Sequence, residues 1–324
     1  MKSIEEIQYL INNKIAEIDF HKQPYELYEP IVYTLSLGGK RLRPALCLLA
    51  CDMFEGNISD AMNPALGIEI FHNFTLLHDD IMDEAPIRRG KESVYKKWNS
   101  NIAILSGDTM MALAYDYIMK APGKVRSEVF SIFNKTAIEV CEGQQYDMNF
   151  EKQKDVSIDD YINMIRLKTS VLLAGSLKTG AIIGGASKED SDNLYRFGEN
   201  IGIAFQLQDD LLDVYSDTQK FGKQNSGDIL TNKKTFLYLK AFELAGDKTH
   251  ETLSGLFKKE AINNNDKISG VKEIYEDLNI KSITIKEIEK YYKKGIRYLE
   301  KINIPSERKT KLIEFADNLR LREF

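Results

Sequence analysis

The stretch from Asn63 to Glu84 reads NPALGIEIFHNFTLLHDDIMDE. Asn63-Pro64 reads as an N-cap followed by proline at the first helical position, and Pro86 stands where the helix should stop. Apolar residues cover most of the circumference in between, which fits a helix surrounded by other helices rather than a surface layer. The segment ends in Asp79-Asp80-Ile81-Met82-Asp83. At roughly 100° per residue, Asp79 and Asp83 share one face. Carboxylates four apart repel each other, and acidic groups near a helix C-terminus oppose its dipole. A lone cluster of this kind reads first as a solvated acidic corner.

The same pattern recurs as Asp209-Asp210-Leu211-Leu212-Asp213, again after about three turns of apolar helix and again near a helix end. Folding has no use for two such clusters, but a hard cation does. Mg²⁺ takes one or two carboxylates together with phosphate oxygens and water. Two clusters facing one cavity would let several Mg²⁺ ions bridge the protein to a diphosphate.

The remainder of the chain also reads as helix: Asn99 to Met119, Lys124 to about Phe150, Ser157-x-x-Asp160 towards Gly184-Gly185, Ser187-x-x-Asp190 to about Tyr215, Lys233 to Ala245, and Ile285 to Ile302. No run alternates cleanly enough to predict a strand. No Gly/Ser/Pro-rich linker divides the chain, so residues 1–324 are expected to form one large all-α domain. Asn263 to Asp266 reads as a surface loop, and Asp247 to Lys267 as a solvated outer face. A net charge of −5 gives no reason to expect nucleic acid. Cys47, Cys51 and Cys141 are too few and too scattered for a disulfide framework, and the first two, in an apolar run, read as buried thiols. No run approaches the roughly 18 apolar residues of a membrane span. A reduced, cytoplasmic protein is the expectation.

Basic groups accompany the acidic ones. Gly38-Gly39-Lys40-Arg41-Leu42-Arg43-Pro44 places three cations around a glycine turn, with Pro44 opening the next helix. Arg88-Arg89-Gly90 forms a second basic turn a few residues beyond the first aspartate cluster. Lys168-Thr169 sits in an otherwise apolar helix, where the lysine either snorkels outward or meets an anion. Phe221-Gly222-Lys223 and Asn232-Lys233-Lys234-Thr235 follow the second cluster. Alone, the Gly38–Pro44 turn reads as a solvated loop and the lysines after the second cluster as surface lysines, while the Arg88–Gly90 turn, so close to the first cluster, reads less readily as a solvated loop. Together they suggest two anionic subsites: one bridged by metal, the other metal-free and held by Lys40, Arg43 and Arg89. Two diphosphate substrates follow from that reading.

In these ordered motifs, with Leu77-His78 before the first cluster, Gly143-Gln144-Gln145-Tyr146-Asp147, and Phe205-Gln206-Leu207-Gln208 before the second, the chain resembles the trans-isoprenyl diphosphate synthases, the polyprenyl synthetase family, over nearly its whole length. The resemblance implies the isoprenoid synthase fold, about ten or more long helices around a central cavity, usually in a homodimer. It implies that Lys40, Arg43, His72 and Arg89 bind isopentenyl diphosphate. It makes Asp79, Asp83 and Asp209 the ligands of Mg²⁺, three ions with bound diphosphate, with Asp80, Asp210 and Asp213 in support. It assigns Arg88, Lys168, Thr169, Gln206, Lys223 and Lys233 to the allylic diphosphate. One position departs from the family, which usually has glycine where Asn232 stands; that leaves open whether Lys233 or Lys234 meets phosphate.

The implied chemistry is ionisation of an allylic diphosphate (dimethylallyl, geranyl or farnesyl) and attack on the cation by isopentenyl diphosphate, with the released diphosphate taking the proton. No obligate membrane partner is implied. Stepping back along the Asp79 helix at about 1.5 Å per residue puts Phe74 some 7–8 Å, and Phe71 about 12 Å, from the metals. Either ring could floor the tail channel, and the pattern resembles short-chain members making C20 more than C15 products. A longer-chain synthase, a non-catalytic subunit of a heteromeric synthase, a terpene cyclase or head-to-head synthase, and a general metal-binding helical protein are the other readings.

Overall fold

The computed structural model describes residues 2–216, 226–258 and 263–320, and the described residues are overwhelmingly helical. The chain groups into two compact units, each assembled from separate stretches of sequence. One comprises Met1–Lys135, Gly175–Tyr195 and Ile302–Lys311; the other comprises Thr136–Ala174, Arg196–Lys301 and Leu312–Phe324.

The first unit opens with α1 (Ile4–Ala16), α2 (Tyr25–Ser36), α3 (Leu42–Met53) and α4 (Ile58–Met82). A two-stranded hairpin, β1 (Ile87–Arg88) and β2 (Lys91–Glu92), precedes α5 (Val94–Lys97) and α6 (Ser100–Ile118). The helix α3 is buried without a break from Pro44 to Cys51. It is therefore enclosed by other helices, and burial raises both of its thiols, that of Cys51 to about 12. The helix α4 carries the first aspartate cluster at its C-terminal end.

Two local expectations need correcting here. The helix α4 begins at Ile58, where the Asn57 side chain accepts from the Ser59 N–H, so Pro64 lies inside the helix and not at its start. Proline forfeits one ladder bond there, yet Ala61, Ala65, Leu66 and Ile68 are buried around it, and that packing carries the helix through. The hairpin was not foreseen because its strands are two residues each. Arg89 and Gly90 lie between them at φ 52° and 75°, the pair of positive values that a two-residue primed turn requires.

The following helices are α7 (Arg126–Lys152), α8 (Ile158–Ile165), a π-helical turn (Arg166–Ser170), α9 (Val171–Ile183) and α10 (Lys188–Tyr215). Ser157 and Asp160 form the full reciprocal capping box that their spacing predicts. Then come α11 (Gly227–Leu230), α12 (Phe236–Leu244), α13 (Asp247–Lys258), α14 (Asn264–Asp277), α15 (Ile280–Glu300) and α16 (Thr310–Arg320). In the second unit, Tyr161, Leu207, Leu211, Phe236, Leu253, Val271 and Tyr275 share one buried core. Asn263 is not part of a loop tip: its side chain accepts from the Asn265 N–H and starts α14, with Asp266 in the first turn where the helix dipole favours an acid. Nor is the Asp247–Lys267 face uniformly solvated, since Leu253 and Lys267 are buried. Among the described residues no helix is long and apolar enough to cross a membrane.

Within the first unit α9 and α3 touch backbone to backbone at Gly180, where an added Cβ would lie 1.9 Å from the Cys47 carbonyl oxygen. Gly180→Ala must push the two helices apart, and overpacking of this kind costs about 3 kcal/mol. Thermal unfolding of that variant should show a midpoint several degrees below the parent.

Candidate active site

In the first unit, the glycine turn before α3 is anchored from beneath. Arg41, 4% exposed, takes the left-handed backbone at φ 47° and drives its guanidinium into the interior. Its Nη1 donates to Glu69 Oε1 on α4 at 2.6 Å and its Nη2 to the Leu35 carbonyl at 2.7 Å, while Asn73 Nδ2 donates to Glu69 Oε1 at 3.0 Å. Of the three cations in this turn, Arg41 is the one that anchors the backbone, while Lys40 is exposed.

Arg43 is braced by a histidine. Its Nη1 lies 3.0 Å from His72 Nε2. Burial, with Arg43, Arg89, Arg88 and Arg41 nearby, holds the imidazole pKa well below its ordinary value. A neutral ring accepts at Nε2, so His72 orients the guanidinium of Arg43. The family resemblance assigns His72, with Arg43, to isopentenyl diphosphate, and the structure places the two side chains in contact. Arg89 donates from Nη1 to the Gly38 carbonyl across the turn. Gly39 sits at φ 131°, which residues with a side chain rarely adopt, and a Cβ there would also stand 2.8 Å from that guanidinium, so glycine suits the turn. A non-glycine residue held at φ 52° costs of order 1 kcal/mol, and such strain collects where function demands it.

The first aspartate cluster divides its labour. Asp80 is 4% exposed and accepts from Arg88 Nε at 2.9 Å, and from Nη2 of the same side chain. Burial raises its pKa against the pull of Arg88. Asp79 is half-buried and Asp83, the C-cap of α4, is exposed. The Asp83 N–H donates to the Asp79 carbonyl at 2.8 Å, so the two carboxylates do share a helix face. Behind them, the rings of Phe71 and Phe74 are 5.5 Å apart, Phe71 meets Phe133 at 5.3 Å, and Phe74 meets His78 at 4.7 Å.

The second unit holds the other cluster. Asp210 is buried, accepts from the Tyr161 hydroxyl, and takes a 3.2 Å bond from Gln206 Nε2. The Thr169 hydroxyl donates to Gln206 Oε1 at 3.2 Å, which continues the chain of bonds to the π-helical turn. Burial and the neighbouring Asp228 push the Asp210 carboxyl up to about 8. Asp213 Oδ2 accepts from the Asp228 N–H at 3.0 Å and so caps α11. Asp209 is half-buried, one residue before the sequestered Asp210. Lys168 neither snorkels freely nor waits unpaired: its Nζ lies 2.6 Å from Asp147 Oδ2. The π-turn brings it there, against Gly143, where a Cβ would be 2.3 Å from the Lys168 nitrogen.

Lys233 and Lys234 sit in different surroundings. Lys234 Nζ donates to the Phe150 carbonyl at 2.6 Å and to that of Gln153, at the C-terminal end of α7, where the dipole favours a cation. Lys233 is exposed. Asn232 adopts φ 58°, a left-handed value that asparagine tolerates better than most residues, so the departure from glycine keeps the turn. Lys223 lies outside the described residues.

Among the described residues no three His, Cys, Asp or Glu side chains come together closely enough to hold a metal by themselves. Tyr161, Asp228 and the pairing role of Asp147 were not legible in the sequence, because nothing in spacing marks which buried hydroxyl or acid will meet which partner.

The polyprenyl synthetase family model matches residues 24–278. A geranylgeranyl diphosphate synthase of Methanosarcina mazei is 42% identical over 223 residues, 68% of this chain and 69% of that protein. A geranylfarnesyl diphosphate synthase of Natronomonas pharaonis is 36% identical over 257 residues, 74% of this chain and 75% of that protein. A crystallised geranylgeranyl pyrophosphate synthase superposes with a TM-score of 0.95 at 41% identity, covering 100% of both chains.

The raised carboxyl of Asp210 sets a pH dependence. Between the ordinary carboxylate range near 4 and about 8, the folded protein keeps a proton that the unfolded chain has released, so this group lowers stability as pH rises through that window. Asp210→Asn removes the effect. In metal-free buffer its unfolding midpoint should exceed the parent's at pH 8, and the gap should close towards pH 4.

Proposed function

The chain belongs to the polyprenyl synthetase family, and from that premise we propose that it condenses isopentenyl diphosphate with an allylic diphosphate to give a short-chain product, geranylgeranyl diphosphate (C20) ahead of farnesyl diphosphate (C15). The observation that carries this reading is the clustering of arginines about His72: Arg43 lies 3.0 Å from its ring, and burial, then Arg43, Arg89, Arg88 and Arg41, hold its pKa well below the ordinary value. Cations so crowded repel one another, and an anionic substrate relieves that repulsion. Arg41 is satisfied internally by Glu69, so Arg43 and Arg89, with Lys40, are the groups offered to the diphosphate of isopentenyl diphosphate.

Asp79, Asp83 and Asp209 are the proposed Mg²⁺ ligands, and Asp80 and Asp210 bond to Arg88 and Tyr161. Bound Mg²⁺ would supply charge neutralisation of the allylic diphosphate as it departs. Lys168, Lys233 and Arg88 add fixed positive charge for the same leaving group. The allylic C–O bond breaks, the isopentenyl double bond attacks C1 of the cation, and the new tertiary cation loses a proton to the released diphosphate. No protein base is assigned. The Thr169 hydroxyl and Gln206 amide, bonded to each other, present oxygen dipoles for the cation. The family match runs from residue 24 to 278, through stretches of both units, which supports treating the chain as a single functional domain. Ile104 and Leu105 on α6, 42% and 58% exposed, support a homodimer. A cytoplasmic location is consistent with this reading.

The Phe71–Phe74–Phe133 ring contacts support a short product. The likeness to a geranylfarnesyl diphosphate synthase makes a C25 product the alternative. Incubation of the purified chain with isopentenyl diphosphate, Mg²⁺ and each of the C5, C10 and C15 primers, followed by chromatography of the products, tests both. Condensation without a second protein is the expected result; no condensation with any primer would overturn the proposal. Asp79→Ala and Asp209→Ala should each lower kcat about 10²–10³-fold with folding intact by circular dichroism. Phe74→Ala should lengthen the product by at least one C5 unit, and an unchanged length would remove Phe74 from the floor.

A further inference from the structure

The turn that presents Lys233 is held on both sides of that residue. Its own backbone is tied down, because the Lys233 N–H donates to the Asp228 carbonyl at 2.9 Å and its carbonyl accepts from Thr235 at 3.0 Å. On the far side, Lys234 is fastened to the end of α7. On the near side stands Asn232 at φ 58°, whose Oδ1 accepts from Lys267 Nζ at 2.6 Å. The same ammonium lies 3.3 Å from the Leu230 carbonyl and 5.4 Å from the Phe257 ring centroid.

Lys267 is an unusual residue to find there. It is 8% exposed, on α14, and burial alone pulls its pKa down. An aliphatic side chain of the same length would be buried at no such cost. What the charged form adds is a pair of strong donor bonds, both directed into the turn before Lys233. The left-handed conformation at Asn232 is itself unfavourable for a residue with a Cβ, and the Lys267 bond is a side-chain contact that can offset that cost.

We propose that Lys267 is a positioning residue for the diphosphate-binding turn: by holding Asn232 in the left-handed conformation it sets the direction in which the Lys233 side chain leaves the backbone. The inference rests on the reading of Lys233 as a ligand of the allylic diphosphate. Lys267 touches no substrate, and it acts only through Asn232.

Steady-state kinetics with farnesyl and isopentenyl diphosphates on the full-length chain tests this with four variants. Lys233→Ala should raise KM for farnesyl diphosphate. Lys267→Met should raise the same KM about fivefold to tenfold and leave kcat and the KM for isopentenyl diphosphate within about twofold. Glycine adopts the left-handed turn without a side-chain anchor. Lys267→Met introduced into an Asn232→Gly background should therefore change KM less than about twofold, whatever it does to the unfolding midpoint. An equal KM effect in both backgrounds would show that Lys267 merely stabilises the unit, and would overturn the proposal. So would a silent Lys267→Met beside an effective Lys233→Ala. A silent Lys233→Ala would instead remove the diphosphate role of Lys233, and the positioning role with it. Should Lys267→Met fail to fold, Asn232→Ala replaces it, with the same selective rise in KM expected and an unchanged KM counting against the proposal.

Discussion

The ion pair between Arg41 and Glu69, each side chain 2% exposed, is the contact on which the basic turn depends. It fastens the glycine turn to the middle of α4, which is the helix that also ends in the first aspartate cluster. From that anchored turn, the Gly38 carbonyl receives Arg89, and Arg43 enters α3 within reach of His72. Removing one partner of such a pair leaves an uncompensated buried charge, whereas removing both is a milder change. Its use here is geometric: like charges can be gathered only where the backbone beneath them cannot give way.

The same logic governs the acidic side. A run of three aspartates at a helix end would splay apart if each sought water independently. In both clusters the second aspartate is instead turned inward, Asp80 to Arg88 and Asp210 to Tyr161 and Gln206. The two units solve the problem with different partners. An arginine compensates Asp80, and a phenol and an amide serve Asp210, which accordingly holds its proton far above the usual carboxylate range.

Backbone conformations that residues ordinarily avoid recur at these places. Arg41, Arg89 and Asn232 all sit in the left-handed region, and Lys168 stands in a π-helical turn. Each is over-determined by side-chain bonds to a neighbouring element: Glu69 for Arg41, Gly38 for Arg89, Lys267 for Asn232, Asp147 for Lys168. Strain held in this way is characteristic of ligand-binding positions.

The amino-acid sequence alone determined the all-helical class, the helix ends marked by Ser157 and Asn99, the two aspartate clusters and the basic turns. These depend on short-range rules of periodicity, capping and charge repulsion that operate within a few residues. It did not determine that α4 starts before Pro64 or that Asn263 caps a helix, because there packing and a single side-chain bond outweigh the local signal. Only the tertiary structure decided that Arg41 pairs with Glu69 and that Lys234 fastens to the end of α7. It also decided that Lys168 pairs with Asp147, 21 residues away. A charged side chain's partner is chosen by what the fold brings within about 3 Å, and no spacing along the chain encodes that distance.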